Sequence, residues 1–554
     1  MRCLLVLLLL LCCIGYAGAS VRITAFCPDP YLHDDADEYI VLSGSGPLDG
    51  ISISDGKGGF RFPPGTVING DLTIAREGLA YRQSHENAPD FEWLDTSPDI
   101  PDVVAGKPLR MANTNGSLQL YDGTTLIQSI AWPRDVKPRE GQVHYLDGGV
   151  WDRRPLMLGQ SRFAPAVFHN VTVTTFVSPD CSDELFSGVV STASKEILLN
   201  VYEFSSPSMG ASLSRAHARG VNITMLVEGG PVGGIAKEES ASLFSLNQSG
   251  IPVYAMMSTK DMHAPYRYDH AKYLVIDRRA VLLASENFKY SGFASPGTTG
   301  NRGWGVLLED PGLAGYFSTV FTTDLSAAST MPYYGVPGVS ESPSVEKRTA
   351  AFAPMKFEGA TVRPVLAPDT SDQIAGLIAS SGESVEIEEA YIKNETPFTL
   401  NPYLAEAVNA SRRGVRVRVL LDSSWYDTQG PRDNDEMVAL INRIGATEHI
   451  PLEARCANLR ASRITTIHNK GVIVDDRQVL VSSINWNSNS PQFNREAGVI
   501  IDHPGVAQYF RAAFDQDWNP AIAPQEQKTD YTKMMAAGVL ILVLVVVWYR
   551  RHRT

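Results

Sequence analysis

The amino-acid sequence predicts a multi-domain chain, with a small N-terminal β-sandwich, a duplicated α/β body and one C-terminal transmembrane helix. Three observations lead there: short alternating strands in residues 20–135, a strand–helix pattern that occurs twice between residues 160 and 520, and an apolar run over 534–549 bounded by basic residues. The 554 residues are 44% hydrophobic and 20% charged. That composition excludes a disordered or collagen-like chain, and the length allows about three domains with cores of their own.

Arg2 precedes an apolar stretch over residues 3–14, and Ala17, Gly18 and Ala19 follow it. A positive residue, an apolar stretch and small residues in that order read as a secretory signal peptide, residues 1–19. In the next part, residues 21–26, 38–42, 50–54, 71–75, 117–121 and 126–130 alternate apolar and polar side chains. Asp55-Gly56, Asn69-Gly70, Asn115-Gly116 and Asp122-Gly123 are turn signals between them, and no helical period competes. Strands at this spacing argue for a β-sandwich. Strand order, turn positions and the Asp37-Glu38-Tyr39-Ile40 start resemble the lamin-tail domain, which implies an Ig-like sandwich over 20–135. The acidic run 33–38 lacks the glycine turn and oxygen-ligand spacing of a cation loop, and reads as an exposed loop entering a strand.

The body is read as two copies. Residues 176–183 are echoed by 365–372, each a strand end followed by Asp and Ser residues suited to capping a helix. Residues 196–202 and 385–391 read as strands, and 219–227 matches 413–421, so the copies lie 189 to 194 residues apart. The halves span 160–325 and 357–520, separated by a Pro-, Ser-, Gly- and Ala-rich linker or long loop over 326–356. Two like halves imply pseudo-two-fold packing with a shared site at their interface.

Each half carries His-x-Lys-x4-Asp: His270, Lys272 and Asp277 in the first, His468, Lys470 and Asp475 in the second. Ser285 and Asn287, then Ser483 and Asn485, follow each histidine by fifteen and seventeen residues. One copy would be weak evidence, whereas two in the same register of a repeat are not a chance match. The residues suit phosphodiester cleavage. One imidazole can attack phosphorus while the other protonates the leaving oxygen and later activates water. Two lysines and two amides can surround the non-bridging oxygens. An Asp ending an apolar strand is more often structural, so Asp277, Asp475, Ser285 and Ser483 are read as supporting. The loop 228–234 is glycine-rich but lacks a Gly-Lys-Ser/Thr ending, and reads as a loop near the site.

This duplicated motif resembles the phospholipase D superfamily over about residues 160–520. The resemblance implies an α-β-α sandwich in each half and phosphodiesterase or phosphotransferase chemistry that requires no metal or other cofactor. It also implies His270 as nucleophile and His468 as general acid, although the near-symmetry of the motif leaves the reverse open. Family members often place an orienting carboxylate after the motif. Asn494-Arg495-Glu496 supplies one, but the matching Asn301-Arg302-Gly303 has glycine. Glu496 is therefore the candidate, serving either His468 or, across the interface, His270.

The run 534–549 is sixteen residues, about 24 Å as a helix, with Lys533 before it and Arg550, Arg551 and Arg553 after it. It reads as a membrane anchor with residues 550–554 cytoplasmic and the body outside. Without leader and anchor, 43 basic residues face 61 acidic ones, giving a body near −18. Such a body is no general polyanion binder, so a phosphodiester substrate, nucleic acid or phospholipid, must be held by charge within the site. A cell-surface adhesion protein that retains the fold without turnover is the alternative. No obligatory protein partner is implied. Of six cysteines only Cys27, Cys181 and Cys456 lie outside the leader, allowing at most one disulfide.

Overall fold

The computed structural model describes residues 20–519 apart from 86, 133–138, 261, 328, 340–345, 397 and 431. The signal peptide expected over 1–19, and the anchor and tail expected over 534–554, lie outside the described residues. Among the described residues no helix is long and apolar enough to cross a membrane.

All six strands expected in the N-terminal part form, within a six-stranded and a five-stranded sheet. Ile23, Ile40 and Ile74 of one sheet and Ile53, Leu118 and Leu120 of the other share one core, so the alternation in sequence becomes two facing layers. Three expectations need correction. Asn69-Gly70 is no turn: it lies inside Val67–Glu77, opposite Ser45 and Gly44, because pairing along the whole neighbouring strand overrides the local preference. The sheet also runs past residue 135, since His144–Asp147 pairs with Ser20–Cys27 and Val150–Trp151 closes the edge. Finally, the acidic run is not wholly an exposed loop. Asp37 and Glu38 are buried, and Glu38 accepts a hydrogen bond from Met111 N (3.2 Å). Burial, only partly opposed by that bond and by Arg76, pushes the Glu38 carboxyl up to about 8. A helix over Gly78–Ser84 was too short to leave a period in the sequence.

The two halves join in one fifteen-stranded sheet whose strand order mirrors about the antiparallel pair Phe168–Ser178 and Met355–Ala367, apart from one extra edge strand, Thr330–Pro332, in the first half. The motif strands Lys272–Ile276 and Lys470–Val474 are buried throughout, as their unbroken apolar runs require of strands covered on both faces. Helices Pro311–Leu325 and Pro504–Trp518 pack into a core drawn from both halves, where Trp304 stacks on Phe510 at 4.8 Å. The expected linker over 326–356 is partly strand: Thr330–Pro332 pairs with Val253–Met256, and Met355 opens the long central strand. Cys27, Cys181 and Cys456 are free thiols.

The Asp residues expected to cap helices do something else. Neither Ser182–Thr192 nor Gln373–Ala379 has a side-chain cap. Asp180 instead accepts from Arg302 Nη1 (2.8 Å) and Asp369 from Arg495 Nη1 (2.9 Å). Asp517 completes the Arg302 cluster at 2.5 Å, and Asp324 the Arg495 cluster at 2.9 Å. Both guanidiniums are fully buried, so each needs the full set of acceptors that surrounds it.

Candidate active site

The two motif histidines are brought together by crossed backbone bonds between the halves. His270 N donates to Arg495 O and His468 N donates to Arg302 O, each at 2.8 Å. Each histidine lies just before its strand, and each motif lysine turns its Nζ back to the carbonyl of that histidine, at 2.6 Å in both halves. Both lysines are buried.

Glu496 reaches across the interface to His270, which settles the question the sequence left open. Its Oε2 lies 2.8 Å from His270 Nδ1 and also accepts from Ser483 Oγ at 2.6 Å. Its Oε1 accepts from Ser490 Oγ and from Asn494 Nδ2 (3.0 Å). With Nδ1 directed at a fixed carboxylate, Nε2 is the nitrogen left for chemistry. His468 Nδ1 lies 3.5 Å from Glu286 Oε2, too long for a hydrogen bond.

Burial and neighbouring cations set the charges. Burial pushes the His270 imidazole down to about 4, opposed by Glu496 and reinforced by Lys272 and Lys470. Lys272 falls to about 7, mainly through burial, although Glu496 favours its charged form. Burial, then Lys470, lowers His468, and burial also lowers Lys470. Burial alone would raise Glu496, but His270, Lys272 and the Ser483 hydroxyl outweigh it and hold the carboxyl below its usual range. Between about pH 4 and 7 the site thus sets a neutral His270 imidazole beside a fixed carboxylate, facing a second imidazole and a charged Lys272.

The other expected residues divide. Ser483 belongs to the Glu496 network, whereas Ser285 Oγ accepts from Trp304 N at 3.1 Å. Asn485 N donates to Ser490 Oγ (2.9 Å), one step from Glu496. Asn287 was expected to face phosphate, but its Nδ2 donates to Glu203 Oε2 at 2.8 Å, drawn there by the stronger carboxylate acceptor. Asp277 and Asp475 lie at the far ends of the motif strands. They accept backbone N–H groups of residues 194–196 and 382–384, so both are structural staples.

Sequence reasoning missed Glu286, Tyr202, Glu228 and Asp422. The Tyr202 ring meets His270 edge-on at 4.6 Å, and its hydroxyl accepts from Val232 N, which places the glycine-rich loop beside the site as expected. Glu228 accepts from Asp269 N (2.6 Å) and Asp422 from Ile467 N (2.5 Å), so each fixes the backbone just ahead of a motif histidine. These two acids lie 194 residues apart, the offset of 219–227 and 413–421, and that coincidence was the available signal.

The domain family described as "Cardiolipin synthase, PLD-like domain" matches residues 188–325 and 374–518. Mitochondrial cardiolipin hydrolase of Xenopus tropicalis is 33% identical over 124 residues, 22% of this chain and 51% of that protein. The Homo sapiens protein of the same name is 28% identical over 133 residues, 24% of this chain and 45% of its own. The chain thus spans about half the length of these curated relatives. Among solved structures, phosphatidylserine synthase of Haemophilus influenzae is 12% identical with a TM-score of 0.47, covering 62% of this chain and 85% of that one. The phospholipase D family member Nuc of Salmonella typhimurium is 20% identical with a TM-score of 0.25, covering 31% and 99%.

Proposed function

Because the chain belongs to the phospholipase D superfamily, with two PLD-like domains in one polypeptide, we propose that it cleaves phosphodiesters through a phosphohistidine at His270. The observation that carries this reading is the crossed pair, His270 on Glu496 with His468 from the other half beside it. His270 Nε2 attacks phosphorus, and the leaving oxygen takes a proton from His468 as its bond to phosphorus breaks. His468 then removes a proton from water, whose oxygen displaces Nε2 and frees His270. Lys272 and Lys470 offset the charge on the non-bridging oxygens, which concentrates positive charge where an acidic body otherwise lacks it. A silent adhesion protein would have no need of both histidines and both lysines in this arrangement.

For the substrate we propose a phospholipid headgroup diester. The family description and the named relatives support it, as does the acidic body, which disfavours a polyanionic strand. The run 534–549 and the leader-like residues 1–19 support an exported chain anchored beside a bilayer. The lamin-tail-like sandwich would then sit on the outer face with the site. Purified full-length chain in detergent should be offered cardiolipin, phosphatidylcholine, single-stranded DNA and duplex DNA, each with and without EDTA. Lipid turnover insensitive to EDTA is expected. Cleavage of DNA but not lipid would overturn the substrate, and loss in EDTA the metal-free chemistry.

The charges also predict an acidic optimum. Below about pH 4 His270 is protonated and cannot attack, and as pH rises through about 7 Lys272 loses its charge. Hence kcat/KM for bis-p-nitrophenyl phosphate should peak between these values and fall up to about tenfold per pH unit outside them. An optimum above pH 8 would contradict the assignment.

A further inference from the structure

Gly303 stands where the second half has Glu496, and the first half nevertheless presents a carboxylate at that place. Asn301, Arg302 and Gly303 lie 193 residues before Asn494, Arg495 and Glu496. The two triplets play matched parts, since Arg302 O and Arg495 O each accept from the opposite motif histidine. A Cβ at position 303 would lie 2.5 Å from Glu286 Cγ, 2.7 Å from Glu286 Oε1 and 2.7 Å from Ser285 Oγ. The space a side chain at 303 would enter is therefore filled by Glu286. The matching asparagines treat the two carboxylates alike: Asn494 Nδ2 donates to Glu496 at 3.0 Å and Asn301 Nδ2 to Glu286 at 3.2 Å. In the second half the residue at the place of Glu286 is Ile484, fully buried and apolar.

We infer that Glu286 is a relocated positioning carboxylate for His468, and that residues 286 and 303 form a mutually exclusive pair. Glu286 is 1% exposed, and its Oε1 and His468 Nδ1 are buried polar atoms without hydrogen-bond partners among the described residues. A movement of about half an ångström brings imidazole and carboxylate into bonding range, as catalytic contacts do when substrate binds. Such a partner fixes the ring and favours its protonated form against the opposing charges of Lys470 and Lys272. His270 is locked before substrate arrives, while His468 is free to tighten with it, which suits an acid that must turn from leaving oxygen to water. The inference rests on the phosphohistidine reading.

The test uses the full-length chain as Glu286→Gln, Glu286→Ala, Gly303→Glu and the double variant Glu286→Ala with Gly303→Glu. Glu286→Gln, which keeps the shape, should lower kcat for bis-p-nitrophenyl phosphate by about 10²-fold, the scale of a misplaced catalytic group, and shift to lower pH the acidic limb of the kcat profile, on which His468 must be neutral to act as base in the second step. Gly303→Glu alone should lose activity because its side chain overlaps Glu286, and the double variant should recover at least about tenfold over it. A double variant no better than Gly303→Glu, or an unchanged pH profile in Glu286→Gln, overturns the relocation. A readout without turnover separates this from failure of the phosphohistidine reading. Modification of His468 by diethyl pyrocarbonate, followed by mass spectrometry across pH, should begin at lower pH in Glu286→Gln, and an unmoved titration also overturns it.

Discussion

Alanine at His270 is expected to lower kcat/KM for bis-p-nitrophenyl phosphate by about 10⁴-fold or more, with little change in thermal stability. The rate effect follows from removing the atom that bonds phosphorus, as for other nucleophile knockouts. The stability effect is small because Glu496 keeps Ser483, Ser490 and Asn494 as donors when the imidazole is gone. His468→Ala should behave differently. p-Nitrophenolate departs without a general acid, so the first step survives while the second lacks its base, and an acid-labile phosphoprotein should accumulate. Phosphoprotein in His270→Ala and none in His468→Ala would exchange the two roles.

The second large effect is on stability. Arg495 is fully buried and donates to Asp324, Asp369, Ser161, Tyr266 and the Ala367 carbonyl. Arg495→Ala strands two buried carboxylates, and a loss of about 3–5 kcal/mol is expected. Lysine at this position should not restore it, because one ammonium cannot replace a planar fork facing several acceptors. Urea unfolding followed by tryptophan fluorescence measures the loss. A midpoint matching the unaltered chain would show that the cluster does not stabilise the fold.

Much of this is legible in the sequence. Residues whose neighbours lie close in sequence announced themselves: the alternating strands of the sandwich, the apolar motif strands, and the paired histidines and lysines in register. Duplication strengthened the signal, since each copy tested the other. What failed did so for a shared reason. Asn69-Gly70 looked like a turn because its partner strand is not visible locally. Asp180 and Asp369 looked like caps because the arginines they bind are more than a hundred residues away.

The sequence by itself determined the two-part body and its duplicated motif, because strand periodicity and motif spacing are properties of a single chain segment. Tertiary structure alone decided which carboxylate serves which histidine. A carboxylate steers an imidazole only within about 3 Å, and that proximity is created by the crossed contacts of the halves. Hence Glu496 belongs to His270, 226 residues away, and the glycine at 303 is filled by a glutamate from 286.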